Sequence, residues 1–294
     1  MCGGRALPAE SPPAERLSVD ARPGLPYPAA MSHALETWAA LQKLRASSPL
    51  VQSITNYVVM NNTANALLAV GASPAMVHAS EEVEEFVSIA HALVINIGTL
   101  SPPWITAMRL AAAAARTHGK PWALDPVGAG ATSLRTSTAL KLLSLKPAAL
   151  RGNASEILAL GAANRSATRG VDSTESSTSA VEVGRQLARI YGTVVVISGA
   201  IDYVTDGERL LSVENGHAMM TRVTGLGCTA TALMGAFLAI EPDALLASAH
   251  AMAVLGVAGE IAAERSPGPG SLQLHLLDAL YTLDEQALSR VRIA

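Results

Sequence analysis

Residues 224–229 read Thr-Gly-Leu-Gly-Cys-Thr, and an Ala-rich helical pattern follows from Ala232. Glycine lets a backbone turn tightly and approach a ligand closely. The N–H groups of a helix start converge on whatever anion lies there. Gly225, Gly227 and Cys228 therefore form a candidate anion hole with a thiol in its mouth. Such a loop suits the stabilisation of a phosphoryl group while a substrate hydroxyl attacks it. A strand-to-helix turn with an inert, buried Cys has the same pattern, so this segment alone does not decide. Two more segments share its logic. In Trp122-Ala123-Leu124-Asp125 a short apolar run ends in an acid, and a Gly128-Ala129-Gly130 turn comes next. Open α/β sheets keep their chemistry at the carboxyl ends of buried strands. Arg151, Asn153 and Glu156 follow another apolar run. The Asn-x-x-Glu spacing puts both side chains on one side of a first helical turn. Such a pair can hold a hydrated Mg²⁺ beside nucleotide phosphates that Arg151 meets directly. The plainer explanation is an Asn cap with a favourable acid in the first turn.

Elements able to position these residues alternate along the chain. Apolar runs at 50–53, 74–78, 92–97, 121–125, 147–150 and 193–198 read as buried parallel strands. Helices are expected at 32–46, near 80–90 with Ser80 as cap, and at 102–118, with Ser101 as cap and Gly119 closing the end. Two more are expected at 133–145 and 178–191. Residues 162–177, rich in Ser, Thr, Asn and Gly, read as a loop. A three-strand meander is expected at 201–205, 209–213 and 217–220, with turns at Asp206-Gly207 and Asn215-Gly216. The final third is helical. These elements specify one three-layer α/β domain, a mostly parallel sheet with a short antiparallel edge. Residues 1–30 are Pro-, Ala-, Gly- and Arg-rich and read as a disordered extension before a domain at 31–294.

Several ordered motifs make the chain recognisable. It resembles the hydroxyethylthiazole kinase family of the ribokinase-like superfamily, over roughly residues 32–290. The carrying segments are Gln-Ser-Ile-Thr-Asn at 52–56, Gly-Ala-Ser-Pro-Ala-Met at 71–76 and Asn-Ile-Gly-Thr-Leu at 96–100. They continue with Asp-Pro-Val-Gly-Ala-Gly-Ala-Thr at 125–132, Arg-Gly-Asn-Ala-Ser-Glu at 151–156 and the Cys228 loop. Leu226 departs from the small residue that related loops often carry, while the flanking glycines remain. The resemblance implies transfer of the ATP γ-phosphoryl group to the alcohol of 4-methyl-5-(2-hydroxyethyl)thiazole, in thiamine biosynthesis or salvage. It implies catalytic roles for Cys228 and the Gly225–Gly227 backbone, with Cys228 as a weak base or orienting group. Thiazole contacts are implied at Met76, Gly225 and Asn56, and ATP contacts at Arg151, Ser198 and Asn153. Mg²⁺ is implied at Asp125 and Glu156. The family also implies a homotrimer with shared active sites. The Ala-rich final third, more apolar than one small domain needs to bury, points the same way.

Composition narrows the classes. The chain has 294 residues, half of them apolar, enough for a large core. A net charge of -3, 15% charged residues and 3% aromatics argue against nucleic acid or an anionic membrane as partner. Cys2 and Cys228 form no disulfide framework and fit a reducing, cytoplasmic setting. The most apolar stretch, 228–263, is interrupted by Glu241, Asp243, His250 and Glu260, which disfavours a membrane span. No Walker-type loop and no early Gly-x-Gly-x-x-Gly occurs, so P-loop kinases and Rossmann dehydrogenases are disfavoured. The rivals are a hydroxymethylpyrimidine or pyridoxal kinase, an ATP-dependent dehydratase of hydrated nicotinamide nucleotides, or a non-catalytic thiazole or nucleotide sensor. Cys228 and Met76 argue against the other ribokinase-like enzymes, which more often carry Asp in the loop.

Overall fold

A computed structural model describes residues 29–168 and 179–294. Most of the expected 1–30 extension lies outside the described residues. Eight strands form one sheet: β1 Leu50–Ile54, β2 Ser73–Ala75, β3 Ala92–Asn96, β4 Trp122–Asp125, β5 Ala149–Asn153, β6 Val194–Ser198, β7 Asp202–Thr205 and β8 Leu210–Val213. Their order is β2-β1-β3-β4-β5-β6-β7-β8, parallel through β6 and antiparallel beyond it. The pleat sends alternate side chains to opposite faces. Val94, Ala123, Ala149, Val194 and Val196 enter one core, while Leu93, Ile95, Leu124, Leu150, Val195 and Ile197 enter the other.

The first core is covered by α1 Ala29–Ser47, α2 Met60–Val70, α8 Leu226–Leu238, α9 Ala244–Glu264, α10 Pro269–Thr282 and α11 Glu285–Leu288. The second lies under α3 Val83–Ile89, α4 Pro102–Thr117, α5 Ser133–Leu143, α6 Ala154–Thr168 and α7 Ala180–Tyr191. Small residues let α8 lie flat on the sheet: a Cβ on Gly235 would meet Val94 Cγ2 at 2.3 Å. Among the described helices, α9 alone is long and apolar enough to cross a membrane. In that window 78% of residues are buried within the protein, the environment of a core helix. The apolar final third is thus absorbed by the chain's own core and does not itself call for a partner.

Four local expectations are corrected. Residues 218–222 form a 3₁₀ turn rather than a third meander strand. The free edge of β8 is instead taken by the C-terminus, where Ser212 N–H donates to Ala294 O (2.8 Å) and Glu214 N–H to Arg292 O (3.0 Å). Ser80 does not cap α3; its hydroxyl donates to Glu81 and the helix starts at Val83. Ser101 occupies the N-cap position of α4 without a side-chain cap bond, leaving Pro at the first positions as the start signal. The expected loop at 162–177 begins as helix, because α6 continues to Thr168; residues 169–178 lie outside the described residues.

Candidate active site

Register brings the chemistry to one end of the sheet. Asn96 pairs with Asp125 across β3 and β4, and Asn153 pairs with Ser198 across β5 and β6, all at carboxyl ends. The N-terminus of α8 faces them. Gly225 caps it with φ 84°, a left-handed conformation that favours glycine. There is also no room for a side chain, since a Cβ would lie 2.2 Å from Val59 Cγ1.

A chain of side-chain hydrogen bonds runs beneath the loop. Asn56 Nδ2 donates to Asn96 Oδ1 (2.8 Å) and faces Cys228 Sγ at 3.5 Å. Asn96 Nδ2 donates to Asp125 Oδ2 (2.8 Å), which also accepts from Thr231 Oγ1 (2.9 Å). Asp125 is only 1% exposed. Burial raises its carboxyl from 3.8 to about 6, with Glu156 adding to the effect, against the nearby Arg151 and the bonds from Thr231 and Asn96. Burial, helped by Asp125, pushes the Cys228 thiol up to about 11. At neutral pH Cys228 is therefore a thiol, and its helix N-terminus does not make it a thiolate.

Glu156 and Asn153 form a reciprocal capping pair. Glu156 N–H donates to Asn153 Oδ1 (3.0 Å), and Asn153 N–H donates to Glu156 Oε2 (2.9 Å). Glu156 Oε1 accepts from Gly128 N–H (2.8 Å), which ties the Gly128–Gly130 turn to α6. Each carboxylate oxygen thus has one backbone donor and keeps a further lone pair. Asp125, Glu156 and Asn153 gather hard oxygen donors around a buried carboxylate. That chemistry fits Mg²⁺ held through its waters.

Arg151 is the local cation. Its Nη2 donates to Ser198 Oγ (2.8 Å), its Nε is buried without a partner, and a Cβ on Gly227 would meet its Nη1 at 2.6 Å. Among the described residues it forms no ion pair. Arg151, Ser198, Gly225, Leu226 and Gly227 line a cleft of about 770 Å³, which widens toward Asp202, His217 and Met252. Guanidinium and helix N-terminus, both positive, face one cavity without a protein anion paired to Arg151.

The structure therefore gathers Asn56, Asp125, Arg151, Asn153, Glu156, Ser198, Gly225, Gly227 and Cys228 around one strand-end region. Met76 stands apart, half-buried just beyond β2 at the sheet edge, with its carbonyl bonded to His78 Nδ1. Sequence reasoning missed three supporting residues. Asn96 bridges Asn56 and Asp125, and Thr231 lies one helical turn after Cys228. Arg135 donates to the carbonyls of Ile97, Val127 and Gly98, clamping the loops after β3 and β4 together. Their signals were a polar residue ending an apolar strand and a hydroxyl at i+3; Arg135 left none.

Comparison with known proteins gives a consistent set of relatives. The model of the Hydroxyethylthiazole kinase family matches residues 41–286. A hydroxyethylthiazole kinase of Syntrophus aciditrophicus (strain SB) is 60% identical over 255 residues, covering 86% of this chain and 94% of that protein. The structure of a hydroxyethylthiazole kinase protein from Pyrococcus horikoshii OT3 superposes with a TM-score of 0.82 at 43% identity, covering 88% of this chain and 98% of that one. A ribokinase-like superfamily protein from Enterococcus faecalis V583 shares the fold alone, with a TM-score of 0.58 at 13% identity over 82% of this chain and 88% of that one.

Proposed function

The chain belongs to the hydroxyethylthiazole kinase family, and from this we propose that it transfers the γ-phosphoryl group of ATP to the hydroxyl of 4-methyl-5-(2-hydroxyethyl)thiazole. The observation that carries the reading is the unpaired Arg151 beside the α8 N-terminus over a cleft of nucleotide size. ATP phosphates bind there, with Arg151, Ser198 and Asn153 as contacts. Backbone N–H groups of Gly225–Cys228 hold the γ-phosphate as charge develops. Cys228, a neutral thiol fixed by Asn56, orients the substrate hydroxyl; Asn56 and Gly225 contact the thiazole, and Met76 reaches it from a neighbouring copy of the chain. Phosphoryl transfer has a loose transition state, so positioning and charge stabilisation carry most of the rate. Asp125 and Glu156 would hold hydrated Mg²⁺, which when bound neutralises phosphate charge.

A homotrimer with shared active sites completes the reading. Its support is an apolar surface on adjacent elements: Tyr57 is 67% exposed just before α2, and Tyr281 73% exposed on α10, with Val58, Leu68 and Leu274 also exposed. Helices α2 and α10 pack together, which brings Leu68, Leu274 and Tyr281 onto adjacent helices, while the Tyr57 ring turns toward Trp104 of α4. A neighbouring copy there would bring its own residues to the Asn56 side of the site. We assign the enzyme to the cytoplasm, where ATP is abundant and thiols stay reduced. The test is product analysis: with MgATP and the thiazole alcohol, mass spectrometry should find thiazole monophosphate and ADP in equal amounts. ADP without the thiazole phosphate would mean that water or another alcohol is the acceptor.

A further inference from the structure

His33 and Glu36 on α1 and His250 on α9 meet on the sheet face that carries α8, away from the nucleotide cleft. One donor atom from each of the three lies within 4.8 Å of the others. His33 Nδ1 and Glu36 Oε2 are 3.0 Å apart, one turn apart on the same helix. His250 is the informative member. It is 2% exposed, and neither ring nitrogen has a hydrogen-bond partner. A buried polar group without a partner loses its hydration with nothing in return. Helix α9 is otherwise almost wholly Ala, Val, Leu, Met and Gly on its buried side, so an apolar residue would serve packing better.

We propose that His33, Glu36 and His250 form a binding site for a zinc-class divalent metal that clasps α1 to the core helix α9. Imidazole and carboxylate are the donors this class favours, and three protein ligands leave a fourth position for water. Bonds of about 2.0–2.1 Å need donor atoms closer together than 4.8 Å. The half-buried His33 and the exposed Glu36 can supply that movement by rotating their side chains, whereas His250 is fixed by packing. Burial lowers the His250 pKa and keeps the imidazole in the neutral form that ligates a metal, against Glu36, Glu241 and Asp243 and together with His33. None of His33, Glu36 and His250 lines the nucleotide cleft.

The test uses the full chain with Co²⁺ and Zn²⁺ as probes. Wild-type protein should bind Co²⁺ with the intense visible bands of four-coordinate cobalt, and Zn²⁺ should raise its melting temperature by mass action. Glu36 is exposed and His33 half-buried near the start of α1, away from the tightly packed core positions of that helix, so His33→Ala and Glu36→Gln should both fold. Each should weaken cobalt binding at least about tenfold and remove the zinc-dependent rise in melting temperature. His250→Asn should do the same. Cobalt spectra and affinity that are equal in wild type and His33→Ala would overturn the proposal, as would a wild-type protein that binds neither metal.

Discussion

Asp125 is the residue whose stability and function pull apart. Its carboxyl is raised from 3.8 to about 6, mainly by burial. A group with a raised folded pKa contributes stability that is present below the unfolded pKa and lost as pH rises through the folded one. Near pH 7 that contribution is gone, and the buried charge destabilises the apo-protein. An Asn can still accept from Thr231 and Asn96, so Asp125→Asn should stabilise the apo-protein at pH 7 by roughly 1–3 kcal/mol, the scale of a two-unit shift. The advantage should vanish below about pH 4, and thermal melts across pH read it directly. Activity should fall sharply in the same variant. Cys228 behaves differently. With its thiol pushed up to about 11, Cys228→Ala should slow turnover by at most about 10²-fold, the low end for a general base, and leave thiazole binding near normal. Complete loss of activity with binding intact, or a phospho-cysteine trapped in the wild type, would make it the nucleophile. Asp125, Asn153, Glu156 and Cys228 were legible because each sits in a short motif with its own physical reason. Asn96, Thr231 and Arg135 were not, because their roles depend on strand register and helix packing that no local pattern carries.

At the scale of elements, the α8 N-terminus depends on two glycines in different ways. Gly225 is needed by the backbone, through its φ of 84° and its contact with Val59. Gly225→Ala should cost about 1–3 kcal/mol of stability from backbone conformation alone, seen as a lower denaturation midpoint. Gly227 carries no such backbone demand, and in the proposed reading it keeps the anion hole open to the ligand. What a side chain there meets is the tip of Arg151, a flexible group that can swing aside. Gly227→Val should therefore fold, bind ATP poorly and lose more activity than Cys228→Ala. A Gly227→Val enzyme with wild-type kinetics would remove the loop from the site. The strands were readable in sequence as apolar runs between turn signals, and their ends fell within a few residues of expectation. The 3₁₀ turn at 218–222 was misread because Asn215-Gly216 resembles a hairpin turn, while the edge of β8 that it would have paired with is taken by the distant C-terminus. Ser80 failed as a cap because its hydroxyl found Glu81 instead.

For the whole molecule, the apolar final third was read as a sign of oligomerisation, yet α8 and α9 are covered by the chain itself. The exposed Tyr57, Val58, Leu68, Leu274 and Tyr281 now carry that argument. Light scattering should give three times the chain mass, and Leu68→Glu with Tyr281→Glu should lower both mass and activity; an active wild-type monomer would reject the shared site. The Pro- and Gly-rich composition of residues 1–30 motivates a further prediction. A chain beginning at Met31 should keep its melting temperature and turnover, because His33 and the rest of α1 remain. The central claim is that the chain phosphorylates a thiazole alcohol, and substrate comparison tests it most directly. Steady-state kcat/KM should be measured for 4-methyl-5-(2-hydroxyethyl)thiazole, pyridoxal and hydroxymethylpyrimidine under the same MgATP conditions. The thiazole alcohol should exceed each of the others by at least about 10²-fold, the loss expected when a substrate cannot hold its reacting hydroxyl in place. Equal or higher kcat/KM for pyridoxal or hydroxymethylpyrimidine would contradict the account.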